Sequence, residues 1–229
     1  MCGNYGDPAA GYYTMDIYKY FRQVNPDIVL GMNTNGGIQS TFFWHALGQL
    51  FNQSQDYCVF SIDGLEDTNH VYRKNVNWSR VMANAEAFIA AGGQAHWDML
   101  VYKHNQHQVD ACEQLARDMG FKWFRAKVSK RGFTSSLEFP MGWVDPKTKA
   151  GKIVCHALQE KSMYIDAQGR VSACCWLGAQ PDPDHEDIKQ VKPTWKTATP
   201  HAVCARNCSG NASQTVFNTQ WQREVDLNV

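Results

Sequence analysis

The 229-residue sequence has no charge imbalance: 22 Lys and Arg face 22 Asp and Glu, and neither sign gathers into a block. Phosphate neutralisation needs clustered Lys and Arg, so nucleic acid is not an expected partner. No apolar run approaches the roughly 20 residues of a membrane span, so a membrane is not expected either. The sequence opens without the pattern of a signal peptide, which favours reduced thiols and a cytoplasmic setting. Cysteine is scarce as far as residue 154, where Cys2, Cys58 and Cys112 are the three present. What the chain does have is an ordinary globular balance, 44% hydrophobic and 19% charged, with eight Trp and eleven Phe to fill a core or line a pocket.

The remaining five cysteines fall between Cys155 and Cys208. Cys155 precedes the adjacent pair Cys174-Cys175, and Cys204 and Cys208 follow. Between the first two sites, β-prone residues from Met163 to Ser172 flank the turn-forming group Asp166 to Gly169, which predicts a hairpin. A hairpin delivers thiols to a fixed point, and thiolates select zinc, copper(I) or iron–sulfur clusters. Disulfides suit small secreted domains rather than this chain. Cys155, Cys174, Cys204 and Cys208 are the expected ligands, with Cys175 able to replace one of them because adjacent strand residues point to opposite faces. Only Cys204/Cys208 resembles a zinc knuckle, so spacing leaves zinc and iron–sulfur both open.

Upstream, helical and strand patterns alternate. Thr14 is placed to cap a helix carrying Ile17, Tyr18, Phe21 and Val24. Strands are expected at Ile28–Met32, Tyr57–Ile62, His96–Tyr102 and Lys122–Val128, with helices at 41–51, 79–91 and 106–119. Gly92-Gly93 and Gly120 are the expected helix stops. Such alternation implies a parallel sheet with right-handed crossovers and ligands beyond the carboxyl ends of the strands. Those ends carry residues 33–37, 61–67 and 103–107. Residues 1–130 form the expected α/β domain, 131–154 a linker or lid, 155–210 the cysteine-rich extension and 211–229 a tail. The edge strand Ile28–Met32 is expected to be unpaired, exposed and aggregation-prone.

In this order the motifs resemble those of radical S-adenosylmethionine (SAM) enzymes that carry a SPASM or twitch extension with an auxiliary iron–sulfur cluster. Gly3-Asn4-Tyr5-Gly6-Asp7-Pro8 is similar to the family's Gly-Gly-Glu-Pro loop, which contacts the SAM amine. Thr34-Asn35-Gly36 and Ser61-Ile62-Asp63-Gly64 resemble the ends of its third and fourth strands, where polar groups approach the SAM ribose and carboxylate. Gly169-Arg-Val-Ser-Ala-Cys174 resembles the extension's signature. The resemblance implies a partial parallel (β/α) barrel followed by a small extension holding a 4Fe-4S auxiliary cluster on the four cysteines named above. It implies SAM contacts at Gly3, Asn4, Tyr5, Gly6, Asp7, Pro8, Asn35, Ser61 and Asp63.

The family's Cys-x3-Cys-x2-Cys motif, which holds the SAM-cleaving cluster, has no counterpart among the eight cysteines. The chain by itself is therefore expected to be inactive, and SAM binding to need a separately encoded amino-terminal fragment as partner. A peptide or small molecule is the implied substrate. Two alternatives stand beside this reading: a non-enzymatic accessory or remnant protein with one iron–sulfur cluster, and structural zinc, in which His156 or His201 replaces a cysteine. Lys103, His104 and His107 gather at one strand end as a substrate contact, a proton carrier or a solvated loop. His45, His70 and His96 receive no role, and Cys58 and Cys112 are expected in the core.

Overall fold

The computed structural model describes residues 1, 6–128, 137–142, 152–159, 161–178, 192–193, 201–208 and 225–227. The chain divides into two compact units, Met1–Trp143 with Glu224–Val229, and Val144–Arg223.

The first unit is built from α1 (Thr14–Val24), β1 (Gly31–Thr34), α2 (Thr41–Leu50), β2 (Tyr57–Ser61), α3 (Glu66–Tyr72), α4 (Trp78–Ala90), β3 (Ala95–Val101), α5 (Val109–Met119) and β4 (Trp123–Val128). The four strands run parallel in the order β1-β2-β3-β4. A short strand, Val225–Asp226, adds antiparallel to β4, so part of the expected tail completes this sheet.

Alternation along the strands decides which side is packed. Met32, Cys58, Phe60, Ile62, Ala95, Trp97, Met99 and Phe124 join one apolar cluster with Trp44, Leu47, Val81, Ala85, Phe88, Cys112 and Ala116 of the helices. Val81, Ala85 and Phe88 fall at helical spacing on α4, whose start is capped by the Asn77 side chain accepting from the Arg80 amide at 2.8 Å. Each fully buried aromatic here contributes about 1.5–3 kcal/mol of apolar transfer. The opposite face carries Tyr57, Ser61, His96, Asp98, Trp123, Arg125 and Lys127, none of which joins that cluster.

Several sequence expectations shift. The first strand is Gly31–Thr34 rather than Ile28–Met32, because the backbone at Leu30 is diverted: its amide donates to the Asp56 carboxylate at 2.8 Å. Its outer edge is not bare. Asn33 N donates to Met1 O at 2.9 Å and the Met1 ammonium bonds Gly31 O, the two bonds of one parallel bridge, while Leu30 and Met32 are buried. Thr14 is the first helical residue and not the cap; its hydroxyl donates to Pro8 O at 2.6 Å. Helix α3 lies where the sequence suggests only a loop. Gly120 ends α5 in the left-handed region, φ 83°, as a glycine cap does.

The second unit contains α6 (His156–Gln159), the antiparallel pair β5 (Tyr164–Ile165) and β6 (Val171–Ser172), α7 (Cys175–Gly178) and α8 (Ala202–Cys208). The hairpin turns as the Asp166–Gly169 composition predicts: Gly169 N donates to Asp166 O at 3.0 Å, and Arg170 pairs with the Asp166 carboxylate at 2.6 Å. Leu177, Val203 and Cys204 form this unit's buried cluster, with Ile153, Ala173 and Cys174 packed against it.

Candidate functional site

Two sequence motifs meet at the carboxyl end of β1. Asp7 caps a 3₁₀ turn, Pro8–Ala10, by accepting from Ala9 N at 2.9 Å. The same carboxylate accepts from the Thr34 hydroxyl at 2.9 and 3.0 Å and from Asn35 N at 2.6 Å. The Thr34 hydroxyl thus bridges the two carboxylate oxygens, with Ala9 N on one and Asn35 N on the other. Asn35 turns its side chain back to accept from Gly37 N at 2.8 Å. Gly36 has φ 71°, and a Cβ there would stand 2.9 Å from the Phe60 ring, so this turn needs glycine. Gly6 and Pro8 flank Asp7, whereas Gly3, Asn4 and Tyr5 lie outside the described residues.

The neighbouring strand end is organised differently. Ser61 closes β2 half-buried, in register with Asp98 of β3. Asp63, expected from the resemblance to face a ligand, is fully buried and committed internally. Its carboxylate receives Arg73 Nε at 2.5 Å and Leu100 N at 2.6 Å. Burial pushes its pKa up and outweighs the Arg73 charge and these hydrogen bonds. Its own amide donates to Asn69 Oδ1 and its carbonyl accepts from Asn105 Nδ2, both at 2.8 Å. Gly64 turns the chain at φ 132°, where a Cβ would collide with Thr68 Oγ1 at 2.1 Å.

Sequence reasoning missed this clamp because its parts are far apart in the chain. Arg73 follows the unforeseen helix α3. Gln108 accepts from Leu65 N at 3.0 Å and from the Thr68 hydroxyl, and donates to Asp67 at 2.8 Å, tying the loop after β3 to that helix. Lys103 is drawn to Glu138, 2.7 Å away and exposed. His104 stacks on Tyr102 with centroids 5.6 Å apart, and its pKa is lowered by burial first and then by His70 and His107.

On the face opposite the helices, Asp98 receives Arg125 Nε at 2.7 Å and Lys127 Nζ at 2.8 Å. Nearer the amino ends, His96 stacks on Tyr57 at 5.5 Å and meets Trp123 edge-on at 6.2 Å. Burial, then the charges of Lys122 and Arg125, bring the His96 pKa down to about 4. Neither group stands out in the sequence; the register across β3 and β4 supplies the signal, and register is not visible along a single strand.

In the second unit the cysteines named from sequence come from three segments of the chain. Cys174 follows β6 and stands just before α7; Cys204 and Cys208 are one turn apart on α8, which places them on one helix face. Val154 N donates to Cys208 O at 3.3 Å, bringing the segment with Cys155 alongside. The Cys208 thiol is pushed up to about 11 by burial and then by Cys204, Cys174 and Cys155. Burial also raises Cys174, eased by the backbone N–H groups of Leu177 and Trp176 directed at its sulfur. Cys155, Cys174, Cys175, Cys204 and Cys208 form no disulfides, nor do Cys58 and Cys112 in the apolar core. Among the described residues no group of three or more His, Cys, Asp or Glu is arranged to hold a metal ion. His201 Nδ1 accepts from Val203 N at 3.3 Å, and the His156 side chain lies outside the described residues. No helix among the described residues is long and apolar enough to cross a membrane.

The first unit thus defines a parallel α/β protein with its polar residues gathered at strand ends. No family model and no curated protein sequence matches the chain. Among solved structures it is similar to the crystal structure of Streptococcus suis SuiB, at 14% identity over 68% of this chain and 32% of that one, with a TM-score of 0.44. SuiB bound to S-adenosylmethionine matches at 13% identity over 68% and 33% of the two chains, with a TM-score of 0.45. The chain therefore spans about a third of SuiB's length.

Proposed function

We propose that the chain is the carboxyl-terminal portion of a radical SAM iron–sulfur enzyme, acting on a peptide or small molecule. The observation that carries this reading is the joining of Asp7 to Thr34 and Asn35 by direct hydrogen bonds, since these residues belong to two motifs of the resemblance 27 and 28 positions apart. Asp7 would take an N–H of the SAM ammonium in exchange for one of its present donors; Gly3, Asn4, Tyr5, Gly6 and Pro8 would line the same loop. Asn35 and Ser61 would lie along the strand ends nearby, whereas Asp63 would act through the turn it fixes. A separately encoded fragment would supply the Cys-x3-Cys-x2-Cys ligands.

Cys155, Cys174, Cys204 and Cys208 would hold the auxiliary 4Fe-4S cluster. The chemistry of the donor set supports this, although among the described residues the thiols are not gathered into a ligand group: Cys208 is within electrostatic reach of Cys204, Cys174 and Cys155, and Cys174 receives backbone N–H groups of the kind that stabilise a metal-bound thiolate. Bound there, the cluster would supply electron transfer or a coordination point for substrate. The protein's own part is to bury the thiols and direct amides at Cys174.

Anaerobic expression followed by iron, sulfide and zinc analysis tests the reading, alone and with a candidate upstream partner. About four iron and four sulfide per chain, rising to about eight of each with the partner, is the expected result. Iron without a rise favours the accessory-protein alternative. One zinc and no colour would overturn the iron–sulfur assignment, and His156 or His201 would then join the candidate ligands.

A further inference from the structure

We propose that residues 137–142 form a strap clasped to the loop after β3, and that protonation of His104 releases it, so that the carboxyl end of β3 opens in mild acid. The device needs no cofactor, and it stands whether or not the enzymatic reading does.

The loop that follows β3 is anchored on its inner side. Asn105 is fully buried; its Nδ2 donates to Asp63 O at 2.8 Å and Leu100 O at 2.9 Å, and its Oδ1 accepts from Tyr102 N at 2.7 Å. Gln108, also buried, ties the same loop to α3. Their less buried neighbours carry the strap. Lys103 N donates to Glu138 O at 3.0 Å, Lys103 Nζ meets the Glu138 carboxylate at 2.7 Å, and Met141 N donates to Gln106 Oε1 at 2.7 Å. Lys103 and Glu138 are about half exposed or more, and an ion pair in such a place contributes little. The clasp is therefore weak enough for one change of charge to open it.

His104 lies within this clasp, next to Lys103 and two residues before Gln106. Its ring stacks on Tyr102 with planes 12° apart. Tyr102 packs in turn against Tyr72 of α3, centroids 5.1 Å apart, and the Arg73 guanidinium lies 5.1 Å from the Tyr72 ring. The His104 ring is half-buried, but its Nε2 is shut off from water and has no hydrogen-bond partner among the described residues. That costs far less in a neutral imidazole than in an imidazolium, both of whose nitrogens donate. The surrounding charges do not relieve it. His70 of α3 and His107 of the loop add like charge as they protonate. The carboxylates of Asp63, Asp67 and Glu138 are engaged by Arg73, Gln108 and Lys103. A protonated His104 is thus driven off Tyr102 into water, and the backbone that holds the strap turns with it. Burial, then His70 and His107, keep the His104 pKa below its ordinary value, so the neutral ring favours the clasped form. That preference is complete above about pH 6.5 and is lost as pH falls through the folded value.

Amide hydrogen exchange, read residue by residue by NMR on the full chain at about pH 7 and about pH 5.5, tests this. Protection at the Lys103 and Met141 amides, corrected for intrinsic rate, is expected to fall about tenfold or more at the lower pH. The Asn105 and Gln108 amides, bonded within the loop, should keep theirs. His104→Phe keeps an aromatic ring for Tyr102 without the proton and should abolish the response. His104→Gln serves the same purpose if circular dichroism shows the first variant misfolded. A response that persists in the folded variant overturns the proposal. So does unchanged protection in the parent, or loss at all four amides together, which would be unfolding of the loop and not release of the strap. None of these readouts depends on iron, sulfide or SAM, so a failed metal assay leaves the outcome legible.

Discussion

The amide of Asn35 donates to Asp7 at 2.6 Å, and through that bond the residues before the first helix are fastened to the end of β1. The Thr34 hydroxyl adds its own bond to the same carboxylate. Replacing Asp7 by Ala strands these donors in a half-buried place, and the expected loss is about 1–3 kcal/mol. The check is urea unfolding: a lower midpoint at unchanged slope. Asp7→Asn keeps an acceptor and should lose less, so equal losses would mean that shape rather than charge holds the loop.

Arg73 and Asp63 provide a sharper contrast. Asp63 is fully buried, so Arg73→Met leaves an uncompensated carboxylate inside the fold, at an expected cost of about 3–5 kcal/mol. Asp63→Asn in the same chain removes the stranded charge and should recover part of that loss. A double-mutant cycle with an interaction near zero would show that the pair is not coupled in solution.

How these parts appear in the sequence differs with the distance over which they act. The strands were legible because alternation puts Cys58, Phe60 and Ile62 on one side of β2, and the Asp166–Gly169 turn because its chemistry is local. Helix α3 was hidden: Glu66–Tyr72 is short and polar, and it is held by Gln108, which lies 40 residues beyond its partner Thr68. The ligand reading of Asp63 gives way to an internal pair for the same reason, since Arg73 is brought to it by that helix. The Asp98, Arg125 and Lys127 triad depends on the register between two strands separated by α5.

His96 gives the fold an acid-side sensitivity. Its folded pKa, about 4, lies below the ordinary value of 6.5, with burial as the first cause. The neutral form is favoured in the folded state, so this contribution is complete above pH 6.5. It declines as pH falls from there and is gone below about pH 4. The size is at most about 3 kcal/mol. Stability measured by urea between pH 7 and 4 should therefore fall in the parent and fall less in His96→Gln. Parallel curves for the two would show that other groups govern the acid limb.

The thiols of the second unit make the most direct test of cluster placement, because they sit in unequal settings. Cys174 has two backbone amides directed at its sulfur, and Cys208 has three thiols in electrostatic reach, its own pKa raised to about 11. A metal must displace the Cys208 proton against that burial, which it does by offering positive charge in place of repulsion among thiolates. Cys174→Ser and Cys208→Ser are each expected to remove most of the iron and sulfide from anaerobically purified protein. Cys58→Ser and Cys112→Ser, altering thiols in the separate apolar core, should leave metal content unchanged while lowering stability. Cys175→Ser discriminates further: it adjoins Cys174 at the start of α7, and metal loss there with retention in Cys174→Ser would show that it, rather than its neighbour, supplies a ligand. Iron retained in both Cys174→Ser and Cys208→Ser would sink the assignment of the cluster to this unit.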